Sequence, residues 1–221
     1  MKLKTLILTM ESDKLIRGDA TKLRGFFATK FNEYVLLHQH LKNHKFLYKY
    51  PYIQYKMIKN VPIILGVREG TDVLEEIYDK YHHINLNGHI YEILEKSINL
   101  KEEEFILSDK LLNYSFLTPW LALNEENYER YQRCEIWGKK KELLKKILIG
   151  NIISMSKGLG YTVPAPIKAN IVKFKEVPTS LKRNPMLGFL GSFSVNFEIP
   201  DYLGLGKSVS RGFGTVKRAK E

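Results

Sequence analysis

The stretch YIQYKMIKNVPIILGV (residues 52–67) predicts the fold of the first half of the chain. It contains two runs rich in β-branched and aromatic residues, YIQYKMI and VPIILGV, on either side of Lys59 and Asn60. Two runs of this kind joined by a short polar connection are typical of a β-hairpin. We therefore expect two neighbouring strands here.

The segments on both sides of this hairpin have helical periodicity. In GDATKLRGFFATKFNEYVLLHQHL (18–41) apolar residues recur near helical spacing, and Asp19 or Thr21 can cap the helix. The segment REGTDVLEEIYDKYHH (68–83) has the same periodicity. A buried first strand within MKLKTLILTMESDK (1–14) and a closing strand or edge element, GHIYEILEKSI (88–98), complete the order β, α, β, β, α, β. This order is typical of a ferredoxin-like domain.

The second half of the chain has a related order of elements. The charged stretch NLKEEE (99–104) marks a domain boundary, so we expect domains at residues 1–98 and 99–221. After it come a strand-like segment (105–123), a helical tract (124–156) interrupted around Trp137 and Gly138, and then strands within 165–177, 186–200 and 213–218. The sequence therefore predicts an α+β protein with tandem ferredoxin-like domains. The second is modified, with its second helix shrunk or absent, and ends in a glycine-rich loop.

The charge of the chain limits the classes of partner. Its 221 residues include 35 Lys and Arg against 24 Asp and Glu, a formal net charge of +11. Such an excess indicates a polyanionic partner such as nucleic acid or a lipid surface, although a solvated lysine-rich surface would also explain it. Hydrophobic residues at 44% and charged residues at 27% exclude a wholly disordered or fibrous chain.

Cysteine usage and hydropathy indicate the compartment. Cys134 is the only cysteine, which excludes an intramolecular disulfide framework and a multi-cysteine zinc site within one chain. The apolar run near the amino terminus is shorter than that of a secretory signal, and no run approaches the roughly 20 residues that span a bilayer. We expect a cytoplasmic protein with no membrane partner.

The segment GLGKSVSRGFGTVKRAKE (204–221) permits three interpretations. A nucleotide-binding P-loop requires a glycine five positions before Gly206, and Asp201 stands there. An RNA-recognition-motif strand requires aromatic rings at two positions that are Thr215 and Arg218 in this chain. Both interpretations are therefore disfavoured. What remains is a glycine-rich loop with strong positive charge.

In this third interpretation, glycines let the backbone approach a ligand while cations neutralise phosphates. The alternative is a tight connection between strands that merely needs positive φ angles. The predicted phosphate-binding residues are Gly204, Gly206, Lys207, Ser208, Ser210, Arg211, Gly212, Gly214, Lys217 and Arg218.

The loop GLGKSVSRGFG (204–214) resembles the carboxy-terminal glycine-rich loop of CRISPR-associated repeat-processing endoribonucleases, which belong to the repeat-associated mystery protein superfamily. Other segments are similar to an archaeal-type branch of that family, in the expected order along nearly the whole chain. These segments are LRGFFATKF (23–31), LLHQH (36–40), YPYIQYKMI (50–58), PIILGVREG (62–70) and FLTPWLALNEENYERY (116–131).

The resemblance implies a reaction. Such enzymes cut CRISPR repeat RNA in a precursor transcript by attack of a 2′-OH, which leaves 2′,3′-cyclic phosphate and 5′-OH ends. It implies no metal and no other cofactor, and His82, His83 and His89 form no recognisable metal-ligand spacing with carboxylates. It leaves open whether the protein is a homodimer, works in a CRISPR effector complex, or is a noncatalytic RNA-binding subunit of one.

The resemblance also suggests catalytic residues. His40, and second His38, match the histidine-containing stretch after the first helix, with Gln39 between them. If both histidines were on one helix, their side chains would point about 200° apart. Both can therefore serve one site only if the helix ends before His40. Tyr48 could donate to the leaving group, and Lys30 could offset charge on the phosphorane. The alternatives are a histidine packed at a helix end, a core tyrosine and a solvated lysine.

Overall fold

The computed structural model describes residues 1–38 and 50–219. The chain forms two compact units. The N-terminal unit comprises Lys2–Glu103 together with Val209–Gly212, and the C-terminal unit comprises Met1, Glu104–Ser208 and the residues from Phe213 onward. Among the described residues, no helix is long and apolar enough to cross a membrane.

The N-terminal unit contains a sheet with the strand order β2-β3-β1-β5-β4. Its strands are β1 (Lys2–Ser12), β2 (Ile53–Ile58), β3 (Val61–Val67), β4 (His83–Leu86) and β5 (His89–Glu104). The predicted hairpin is confirmed, because β2 and β3 pair antiparallel around Lys59 and Asn60, which have φ angles of 50° and 64°. Positive φ at both central turn positions matches the twist of the flanking strands. The predicted domain boundary between residues 98 and 99 lies inside β5.

The helices of this unit are α1 (Ala20–Lys30), α2 (Val35–His38) and α3 (Glu69–Ile77). The Asp19 side chain caps α1 by accepting a hydrogen bond from the Lys22 N–H at 2.9 Å. The prediction of one helix across residues 18–41 is wrong. Phe31 leaves the helical region, with φ −123° and ψ 55°, and its side chain is buried in the core, so the helix ends at Lys30.

The helix predicted across residues 68–83 is also too long. It ends at Ile77, and His83 already belongs to β4, which pairs antiparallel with β5. The turn between these strands is Asn87-Gly88, with φ angles of 56° and 83°. An Asn-Gly pair favours this conformation strongly, so local turn chemistry sets the hairpin here.

The core of the N-terminal unit fixes α1 against β2. Leu23 and Phe27 of α1 are fully buried, as is Tyr55 of β2. The Phe27 ring lies 6.0 Å from the Tyr55 ring and 5.0 Å, edge to face, from the Tyr81 ring, measured between centroids. This packing fixes the positions of the polar residues next to Leu23 and Tyr55 in the chain.

The C-terminal unit has the sheet order β7-β8-β6-β9. This order is equivalent to β2-β3-β1-β5, so the predicted tandem ferredoxin-like α+β architecture is confirmed. The second helix of this unit is predicted to be shrunk or absent. In the chain between β8 and β9, which the structure describes completely, the only helical element is a 3₁₀ turn at Val209–Arg211. The elements are β6 (Ile106–Phe116), α4 (Glu125–Arg133), α5 (Trp137–Gly158), β7 (Ala169–Leu181), β8 (Asn184–Glu198) and β9 (Val216–Arg218).

The strand predicted across residues 105–123 is shorter than expected. It ends at Phe116, and Pro119, which has no N–H, follows. Trp120 then forms an isolated bridge with Phe189, and its ring stacks on the Phe116 ring at 5.2 Å between centroids. Aromatic packing therefore holds this segment without a continuous strand.

Candidate functional site

The glycine-rich loop (residues 204–214) contributes to both compact units. Within the C-terminal unit, the Leu205 N–H donates to the Gly214 carbonyl at 2.9 Å. A Cβ on Gly214, whose φ is 63°, would lie 1.9 Å from the Leu205 carbonyl oxygen. This glycine is therefore required for the close pairing of the loop with itself.

Residues 209–212 of the loop pack within the N-terminal unit. Gly212 has a φ of 88°, and a Cβ there would lie 2.6 Å from Ala20 Cβ and 3.1 Å from the Tyr55 carbonyl oxygen. The Val209 carbonyl accepts a hydrogen bond from Lys56 Nζ at 3.4 Å. The segment 209–212 therefore rests on α1 and β2.

Gly212→Ala is expected to destabilise the protein by about 1–3 kcal/mol, because the new methyl group meets Ala20 and the backbone is strained at positive φ. The matched control is Gly25→Ala on α1, where a Cβ would meet nothing within 4 Å. That control should stabilise the helix by about 0.5–1 kcal/mol. Thermal denaturation of both variants measures the difference, and equal melting temperatures would contradict the proposed contact.

Three cationic side chains of the N-terminal unit form what we call the cationic cluster: Arg24 of α1, Lys56 of β2 and Arg211 of the 3₁₀ turn. Lys56 is fully buried, and both arginines are partly buried. Among the residues that the structure describes, no member of the cluster forms an ion pair. The buried Nε atoms of Arg24 and Arg211 also have no hydrogen-bond partner there. The cluster is therefore a concentration of positive charge that pairs with no acidic residue in the described part of the chain.

The pKa values of two members of the cluster, Arg24 and Lys56, are lowered. Burial lowers the pKa of Arg24, and the neighbouring charge of Arg211 lowers it further. Burial alone lowers the pKa of Lys56 to about 7. Its Nζ donates to the Gln54 Oε1 at 2.9 Å as well as to the Val209 carbonyl. Both acceptors are neutral, so neither offsets the charge of a protonated lysine.

His38 lies at the end of α2 and is joined to the cationic cluster through its backbone. The Arg24 Nη2 donates to the His38 carbonyl at 2.5 Å. The His38 ring is partly buried, and its Nε2 lies 3.1 Å from the Asn32 carbonyl oxygen. A carbonyl oxygen can only accept, so in the neutral ring this contact places the proton on Nε2.

Of the other predicted catalytic residues only Lys30 is described, and it lies outside the cationic cluster. His40 and Tyr48 lie outside the described residues. Lys30 is exposed at the end of α1, with its Nζ 5.6 Å from the centroid of the Phe31 ring. Six positions along a helix turn a side chain by about 240°, so Lys30 and Arg24 leave α1 in different directions. Lys30 lines a separate surface pocket that includes Lys22 and Asn87.

Lys207 lies in the C-terminal unit and is exposed. It lines a groove of about 430 Å³ together with Arg130 of α4 and Lys146 of α5. Its backbone N–H donates to the Leu121 carbonyl at 3.2 Å, which fixes the main chain beside the groove. This groove is a second basic surface, in the other compact unit.

The remaining residues predicted to bind phosphate lie on β9 and elsewhere in the glycine-rich loop. On β9, Lys217 Nζ lies 5.4 Å from the centroid of the Tyr202 ring, and Arg218 Nη1 lies 3.2 Å from a carboxylate oxygen of Glu198. Gly204 forms an isolated bridge across the loop, and Gly206 packs against the Trp120 ring. Ser208 has a φ of 57°, and Ser210 is in the 3₁₀ turn.

Two members of the cationic cluster, Arg24 and Lys56, are absent from the sequence-based list. Lys56 has a visible signal, because it is the one charged residue in β2 (IQYKMI). Arg24 has none, since a partly exposed helix commonly contains arginine. Arg24 belongs to the cluster only because folding brings Arg211, which is far along the chain, close to it.

Two family models match nearly the whole chain. The model of the Cas6b N-terminal domain matches residues 1–104, and the model of the Cas6b C-terminal domain matches residues 106–219.

Individual relatives agree with these matches. A crystal structure of Cas6b has a TM-score of 0.91 and 40% identity, covering 99% of this chain and 100% of that one. The crystal structure of a CRISPR RNA processing endoribonuclease, also Cas6b, has a TM-score of 0.80 and 38% identity with the same coverage. An uncharacterized protein from Methanocaldococcus jannaschii is 45% identical over 146 residues, 66% of this chain and 99% of that protein.

Proposed function

The chain belongs to the Cas6b family, and from this premise we propose that it is an endoribonuclease that cleaves CRISPR repeat RNA in precursor transcripts to give guide RNAs. A structural relative 38% identical over nearly the full length is a CRISPR RNA processing endoribonuclease. The net charge of +11 fits a polyanionic substrate. The proposed site of action is the cytoplasm.

We further propose a metal-independent reaction in which the 2′-OH beside the scissile phosphate attacks in line. The products are a 2′,3′-cyclic phosphate and a 5′-OH. This reaction needs a base for the 2′-OH, positive charge for the phosphorane, and an acid for the leaving oxygen. His38 and His40 are the proposed proton-transfer residues, because an imidazole nitrogen can accept a proton from one oxygen and deliver it to another.

The observation that supports this site most directly is the hydrogen bond from Arg24 to the His38 carbonyl. Arg24 is also the electrostatic neighbour of Arg211 in the glycine-rich loop. Arg24 thus contacts both α2, which ends at His38, and the glycine-rich loop, which is proposed to bind RNA phosphates. This contact supports the proposal that the base and the phosphate-binding groups act within one compact unit.

The remaining cations are proposed to hold the RNA backbone outside the reaction centre. Lys207 lines the groove of the C-terminal unit, and Lys217 and Arg218 lie on β9. Such contacts position RNA without identifying its sequence. The ion pair of Arg218 with Glu198 is on the surface and therefore weak enough for a phosphate to displace.

The test is to incubate the purified protein with its cognate repeat RNA in excess EDTA and to analyse the product ends. We expect cleavage at one position in the repeat, with a 2′,3′-cyclic phosphate and a 5′-OH. Cleavage that stops on chelation would exclude the metal-independent reaction. Persistent RNA binding without cleavage would instead identify a noncatalytic RNA-binding subunit.

A further inference from the structure

The cationic cluster contains buried hydrogen-bond donors that the protein itself does not satisfy. The Nε atoms of Arg24 and Arg211 are both buried without a partner among residues 1–38 and 50–219. The two guanidinium groups also repel each other, since the charge of Arg211 disfavours the charged form of Arg24. Buried unpaired donors and close like charges are both unfavourable in the unliganded protein. An anion between the two groups would relieve both.

We propose that Arg24 and Arg211 form a clamp that binds the scissile phosphate of the RNA, and that Lys56 positions Arg211. This proposal rests on the proposed function, because that function makes a phosphodiester the anion that reaches the site. A planar guanidinium presents paired N–H donors that match two phosphate oxygens, which an ammonium group cannot do. Two guanidinium groups can therefore hold the non-bridging oxygens while charge develops on them.

Lys56 is a positioning residue in this clamp. It is fully buried, and its Nζ holds the Val209 carbonyl at 3.4 Å, two residues before Arg211. Gly212, on the other side of Arg211, is in close contact with Ala20 of α1. The backbone on both sides of Arg211 is thus fixed to the unit that contains Arg24.

The clamp lies beside the segment that ends in His38. Arg24 donates to the His38 carbonyl through Nη2, while its Nε is the unpaired atom. One edge of the guanidinium therefore fixes the backbone of the histidine segment, and because the Arg24 side chain is only partly buried, its other N–H donors are the ones proposed to face the phosphate. A 2′-OH adjacent to the clamped phosphate would be close to this segment. The geometry favours Arg24 over Lys30 as the group that offsets charge on the phosphorane.

The first experiment measures anion binding with inorganic phosphate as the probe. At about ten times its Kd, phosphate is expected to raise the melting temperature of the wild-type protein by about 3 °C. Sodium chloride at the same ionic strength controls for screening of the repulsion between the arginines. Arg24→Gln and Arg211→Gln should each lose the phosphate-dependent rise.

The matched control is Arg17→Gln, which removes the same charge from an exposed position in the same unit. It should retain the full rise. Far-UV circular dichroism at low phosphate checks that each variant folds. Because Arg211 is on a 3₁₀ turn and not in a regular helix or strand, its variant tests the proposal even if Arg24→Gln fails to fold.

The second experiment measures cleavage of repeat RNA. Arg24→Gln and Arg211→Gln should each lower kcat/KM on the order of 100-fold, as removal of one donor to a transition-state oxyanion does. Arg17→Gln should leave it unchanged. Equal phosphate-dependent shifts in all four proteins, or no shift in the wild type, would overturn the clamp. A specific shift in a wild-type protein that cleaves no RNA would support an anion site and refute the proposed function alone.

Discussion

Replacing His38 and His40 together with alanine is expected to lower the cleavage rate of repeat RNA by about 10²- to 10⁴-fold, the usual contribution of general acid–base catalysis. RNA affinity should change little, because two imidazoles contribute little to a binding energy dominated by the contacts of Lys and Arg with phosphates. Single-turnover cleavage at saturating protein measures the chemical step, and filter binding measures affinity.

The control is the double variant His82→Ala plus His83→Ala, which removes two exposed imidazoles of the same unit. It should cleave at the wild-type rate. The single variants then show which histidine is the base, since the more important one should reproduce most of the loss. A double variant of His38 and His40 with undiminished cleavage would refute the mechanism.

The second large effect concerns Lys56 and stability. Its pKa of about 7 in the folded protein lies below the ordinary value of 10.5, so between these values the unfolded chain binds more protons than the folded protein. Stability must therefore rise with pH across this interval. From pH 7 to pH 9.5 the expected gain in the free energy of unfolding is about 3 kcal/mol.

Urea denaturation at several pH values measures this gain, and Lys56→Met should abolish it. Methionine has a similar length and no charge, so its burial does not depend on pH. The control Lys2→Met removes an exposed lysine of β1 and should retain the wild-type slope. The series stops at pH 9.5 because burial raises the pKa of Tyr81, and ionising such groups destabilises the fold above pH 10. Equal slopes for the wild type and Lys56→Met would contradict the buried position of Lys56.

Most of the architecture follows from local patterns in the sequence. The β2–β3 hairpin, the flanking helices and the second, similar strand order are all visible as periodicity and turn signals. The β4–β5 hairpin is not predicted, because helical periodicity continues across residues 78–83. The Asn87-Gly88 pair nevertheless favours a hairpin turn at this position. Phe31 ends α1 because its side chain is buried in the core, a tertiary effect that local propensity does not report.

The site was less predictable than the fold. The cations of the glycine-rich loop are predicted because many glycine and basic residues occur close together in residues 204–218. The sequence does not reveal that Arg211 belongs to the N-terminal unit. Nor does it show that Gly212 and Gly214 leave no room for a Cβ against their own chain. Burial of Lys56 and proximity of Arg24 to Arg211 are long-range consequences of folding.

The membership of Val209–Gly212 in the N-terminal unit bears on how such proteins can evolve. A recombination event near residue 104 would join the first half of one homologue to the second half of another. Residues 209–212 of one homologue would then pack against the residues that the other homologue has at positions 20 and 56. We expect the two halves to be inherited together, and viable chimeras between distant homologues to need compensating changes at these positions.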